Sequence, residues 1–116
     1  MKLFTIKGLK DLLNEDEYYK SLSRESSRLL YYDKCNWFIS ETYSTSLGNE
    51  NEANLFQNLP SNNLKKVLGN RYYKQIIYTL ESLGIILTND KYSTNNFSKS
   101  YAISKKGFEL GIIETD

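Results

Sequence analysis

The chain has 116 residues, 40% hydrophobic and 25% charged, which is enough apolar material for one domain core without disulfide staples. The net charge is +1; a single cysteine excludes an internal disulfide, and the absence of histidine removes the usual general base and the commonest metal ligand. No apolar run approaches the ~18 residues of a membrane span, and MKLFTIKGLKDLL lacks the apolar core and cleavage site of a signal peptide, so the expectation is one cytoplasmic domain without a membrane partner.

At the start, Leu3, Phe4 and Ile6 suit either a short strand or the entry to a helix. Leu9, Leu12 and Leu13 have helical spacing between Lys7 and Tyr19, and Asn14 to Glu17 read as a stop and restart with acids in the next first turn. From Ser23 to Ser40 the pattern predicts a longer helix, capped by Ser23, with Leu22, Leu29, Leu30 and Trp37 as core candidates and Cys35 half-buried. The adjacent pairs Tyr18–Tyr19, Tyr31–Tyr32 and Tyr72–Tyr73 place one ring of each inward and its neighbour about 100° away. The outer rings either close the edges of the core or form a contact surface. Thr42 to Asn58 is polar and aperiodic, which predicts a long loop.

The second half is more strongly patterned. Ser61 follows Pro60, and Leu64, Val67 and Leu68 predict a helix over 61–68 that Gly69 interrupts. Tyr73, Ile76, Ile77, Leu80 and Leu83 predict a second helix over 70–83, with Asn70 as N-cap and Gly84 as the left-handed residue after its end. Ile85-Ile86-Leu87 and the alternation around Tyr101 and Ile103 predict antiparallel strands near 85–90 and 99–104. Ser104 then caps a final short helix at Lys105-Lys106-Gly107-Phe108-Glu109-Leu110. The resulting fold class is mainly α with a small β-hairpin wing: N-terminal helices over 1–43, a polar loop over 44–59, and a winged helix-turn-helix core over 60–113.

The stretches SLGII and YAISKKGFEL, separated by a polar loop, resemble the wing ends of winged-helix transcription regulators of the multiple-antibiotic-resistance and phenolic-acid type. NRYYKQIIYTLESLGII with FSKSYAIS also resembles winged-helix domains of phage and plasmid proteins from AT-rich bacterial genomes, a flavour that the excess of Asn, Lys, Tyr and Ile shares. The likeness covers about half of the chain and implies a DNA-binding fold. The long terminal dimerisation helix of those regulators has no counterpart, which leaves a homodimer open.

Charge is unevenly distributed. From Ser61 to Lys106 there are eight Lys/Arg and two acids, a balance of +6, and the remainder carries −5. A basic segment on a helix-turn-helix pattern suits a polyanion, whose phosphates exchange counterions for lysine and arginine. The second helix of such a motif enters the major groove, so Arg71, Tyr72, Lys74, Gln75 and Tyr78 are the expected nucleic-acid contacts. Arg71 and Gln75 are able to pair with base edges, and Lys74 suits a phosphate. Lys91, Asn95, Asn96 and Lys99 would add contacts from the wing.

Duplex DNA is the first partner expected, for a regulator or replication accessory protein of a phage or mobile element. The alternative is a small phage-encoded interaction protein, an anti-CRISPR inhibitor for example, that binds a host protein or nucleoprotein. It draws on the acidic first half, the outer tyrosines and the polar loop. No phosphate-binding glycine motif or nucleophile–base spacing occurs, so no enzyme, cofactor, metal or catalytic residue is expected.

Overall fold

A computed structural model of the chain describes residues 2–45, 57–89 and 98–115. Its longest element is helix α3, Glu25–Thr45, preceded by strand β1 (Lys2–Ile6) and the short helices α1 (Leu9–Leu13) and α2 (Glu17–Ser21). The break between α1 and α2 follows the expected stop and restart. Asp16 has extended backbone, and its carboxylate accepts the Tyr19 amide at 2.9 Å, closing the first turn of α2.

The inward face of α3 departs from the sequence expectation. Tyr31, Cys35, Phe38, Ile39 and Thr42 are buried, whereas Leu29 and Leu30 are 53% and 49% exposed. The spacing 31, 35, 38, 42 is one helical stripe, and Leu29 and Leu30 lie about 200° and 100° away from Tyr31 around the axis. A tyrosine occupies the stripe because its hydroxyl has a buried partner. Tyr31 Oη lies 2.7 Å from Thr79 Oγ1, which lies 3.2 Å from Asp16 Oδ2. A carboxylate only accepts, so Thr79 donates to Asp16 and Tyr31 donates to Thr79. The helix also begins at Glu25 rather than Ser23, with the Arg28 Nε–H on the Leu22 carbonyl at 2.7 Å, and it runs on to Thr45.

The first residues form a strand: β1 pairs antiparallel with β5 (Gly111–Thr115), Phe4 opposite Ile113 and Ile6 opposite Gly111. This terminal strand was not expected from the sequence, because five residues after a short helix carry too little alternation to announce one. Gly111 has a packing reason, since a Cβ there would stand 2.3 Å from the Phe4 ring. That ring stacks on Tyr43 at 4.3 Å, and the Ser40 hydroxyl donates to the Phe4 carbonyl at 2.7 Å, so β1 is held against α3.

A second sheet has the order β2–β4–β3, from β2 (Gln57–Pro60), β3 (Ile86–Asn89) and β4 (Ser98–Ile103). The expected polar loop is therefore shorter. Residues 42–45 close α3, 57–60 pair with β4, and 46–56 lie outside the described residues. Between the strands stand α4 (Ser61–Leu68) and α5 (Tyr73–Ser82). The first of these has the expected limits.

Helix α5 starts three residues later than expected, because Gly69 is left-handed (φ 90°) and its carbonyl accepts the amides of both Tyr72 and Tyr73. Asn70 thus sits in the turn and does not cap the helix; Tyr72 holds the cap position. Leu64, Leu68, Ile76, Leu80 and Ile85 join the α3 stripe in one core.

Gly84 has φ 77°, the conformation its place after the helix demands. Helix α6 (Lys105–Glu109) is capped by Ser104, whose oxygen accepts the Gly107 amide at 2.9 Å and whose hydroxyl donates to the Gly84 carbonyl. The fold is thus mainly helical with small antiparallel sheets, and among the described residues no helix is long and apolar enough to cross a membrane.

Candidate nucleic-acid interface

On α5 the residues Ile76, Thr79 and Leu80 turn inward, which sends the 74, 75 and 78 positions to the other side. Lys74 is exposed, Gln75 half-buried, and Tyr78 is 64% exposed. Arg71 is exposed in the turn ahead of the helix, and Tyr72 is half-buried there. Of the five expected site residues, Arg71, Lys74 and Tyr78 are thus exposed, while Gln75 and Tyr72 are half-buried and the Tyr72 ring packs on buried Tyr31. Lys99 lies on β4 opposite Leu59 of β2, while Lys91, Asn95 and Asn96 lie outside the described residues.

The turn gathers more positive charge than the helix pattern indicates. Lys34 of α3 stands over the Tyr72 ring at 5.1 Å, and the Arg71 guanidinium is 5.5 Å from the same ring. Tyr73 is approached by Lys65 of α4 at 5.6 Å and by Lys74 at 6.0 Å. Aromatic faces attract cations, so the rings hold these long side chains near one place. Lys34 is fixed further by donating to the Leu68 carbonyl, the last of α4, at 2.6 Å. None of the four cations has a carboxylate at ion-pair distance among the described residues. Lys34 and Lys65 escaped the sequence reading, and Lys34 falls in the half counted as acidic.

Other tyrosines among the described residues close the core. Tyr19 and Tyr31 are buried, with Tyr18, Tyr19 and Tyr72 packed around Tyr31 at centroid distances of 5.3, 6.3 and 6.2 Å. Tyr32 is half-buried beneath Lys10, at 5.2 Å. Cys35, expected to be half-buried, is wholly inside; burial, with a smaller contribution from the Asp16 charge, pushes its thiol up and keeps it protonated. No group of three His, Cys, Asp or Glu suited to a metal ion occurs among the described residues. Comparison with protein families, with curated proteins and with solved structures gives no match to this chain.

Proposed function

We propose that the chain is a winged helix-turn-helix protein that binds duplex DNA in the cytoplasm, as a regulator or replication accessory protein of a phage or mobile element. On this reading α3 is the first helix, α4 and α5 are the helix-turn-helix, and β3 and β4 are the strands of the wing, with β2 added at the edge of β4. The observation that carries it is the set of cations without ion-pair partners among the described residues where α5 begins, beside the half-buried Gln75 and the exposed Tyr78. Helix-turn-helix domains meet the major groove with the N-terminal residues of their second helix. Arg71 and Gln75 have the paired donors or acceptors that base edges require, whereas Lys74 is a point charge for a phosphate. Lys91, Asn95, Asn96 and Lys99 belong to the wing contacts of the same reading.

The test is to select a preferred duplex from a random pool and titrate it with single variants. Gln75→Ala should cost about 1–3 kcal/mol on the preferred sequence and leave random duplex nearly unaffected, whereas Lys74→Ala should weaken both alike. Equal losses on both duplexes for Gln75→Ala would demote this residue to a backbone contact.

A second reading, a protein that binds a host protein or nucleoprotein, is supported by one feature. Leu29 lies exposed beside a cleft lined by Lys10, Tyr19, Glu25, Arg28 and Tyr32. Absence of duplex binding at physiological salt would favour it.

A further inference from the structure

Two neighbouring tyrosines each carry two cations, and the cations come from three different helices and the turn between two of them. We propose that Lys34 with Arg71, and Lys65 with Lys74, are two phosphate-binding pairs that clamp the backbone of duplex DNA on either side of the start of α5, with Lys34 as the fixed point. This rests on the DNA-binding reading above and adds Lys34 and Lys65 to its contacts.

Adjacent residues near a helix start point about 100° apart, so the Tyr72 and Tyr73 rings present their pairs in different directions. Each pair is gathered on one ring: Lys34 and Arg71 at 5.1 and 5.5 Å, Lys65 and Lys74 at 5.6 and 6.0 Å. Among the described residues no carboxylate stands at ion-pair distance from any of the four. Phosphodiesters of the backbone, one for each cation, supply that negative charge and release their condensed counterions in doing so.

Lys34 has a second role. Its ammonium spends one N–H on the Leu68 carbonyl and retains two for a ligand. A Cβ on the left-handed Gly69 would stand 3.5 Å from its nitrogen, so the amine passes close over the turn that presents Arg71. Lys34 therefore ties the position of the turn to α3, and a phosphate held by it is held in register with α5.

The test is a fluorescence-anisotropy titration of the full chain against a short random duplex over a range of salt. Lys34→Met and Lys65→Met should each lower the slope of log K against log salt by about 0.9 and weaken binding roughly fivefold at 0.15 M salt. Lys34→Arg, which keeps charge and donors, should retain the slope. Lys66→Met removes the same charge from an exposed site on α4 outside both pairs, and it should change the slope by less than half as much. Should Lys34→Met fail to fold, Lys65→Met carries the test, because Lys65 is exposed. Unchanged slopes for the Lys34 and Lys65 variants, with wild type still binding duplex, overturn the clamp and leave the DNA-binding reading standing. Loss equal to that of Lys66→Met overturns it too, and so does wild-type binding as tight to a single strand as to the duplex. No wild-type binding to any duplex removes the DNA-binding reading and the clamp together.

Discussion

Phe38→Ala should lower the free energy of unfolding by about 3–5 kcal/mol, the range for removing a fully enclosed aromatic side chain. Phe38 is 0% exposed in the middle of the α3 stripe, and its ring meets Tyr101 of β4 edge-on, with centroids 5.3 Å apart at 83°. The truncation takes apolar surface back to water and leaves a cavity at the joint between the long helix and the β2–β4–β3 sheet. A domain of this size holds about 5–15 kcal/mol in total, so a loss of that order takes roughly a fifth or more of it. Urea unfolding followed by Trp37, the only tryptophan, reads the change directly. A shift under about 1 kcal/mol would mean that the sheet does not close on α3 through this ring.

Thr79→Val comes next, at about 2–3 kcal/mol, although the two side chains have almost the same shape. Thr79 is 0% exposed and passes a hydrogen bond from Tyr31 to Asp16, which joins α5 to α3 and to the start of α2. Valine leaves a buried phenol without its acceptor and removes one donor from a buried carboxylate, and each such loss costs about 1–3 kcal/mol. Burial pushes the Tyr31 phenol up, so it remains a donor throughout the ordinary pH range and cannot escape by ionising. Thr79→Ser keeps the hydroxyl and should lose only about 1 kcal/mol, the value of a methyl group. Adding Tyr31→Phe to Thr79→Val should cost little more, since members of one network are not additive. A serine variant less stable than the valine variant would show that the methyl, not the hydroxyl, matters at this position.

The parts of the fold that were legible in the sequence are those with local causes. Ser61 to Leu68, the break at Gly69, the left-handed Gly84 and the Ser104 cap are each dictated by a few adjacent residues. The inward face of α3 was misjudged because Leu29 and Leu30 outrank Tyr31 and Thr42 in hydrophobicity. The burial of a tyrosine depends on a hydroxyl partner that only the folded chain brings near. Strands β1, β2 and β5 draw their partners from distant segments, and four or five residues of pattern do not reveal pairing at that range. The candidate site divides in the same way. Arg71, Lys74, Gln75 and Tyr78 follow from spacing along one helix, but Lys34 reaches the turn from α3, and no spacing rule connects it to Tyr72.

The central claim is that the surface where α5 begins binds DNA phosphates, and the salt dependence of wild-type binding to a random duplex tests it most directly. Four cations engaging four phosphates should give log K against log salt a slope of about −3.6, at about 0.9 per contact, with dissociation constants near 10⁻⁴–10⁻⁶ M at physiological salt. A slope near zero, or no binding in that range, would contradict the claim and turn attention to the cleft beside Leu29.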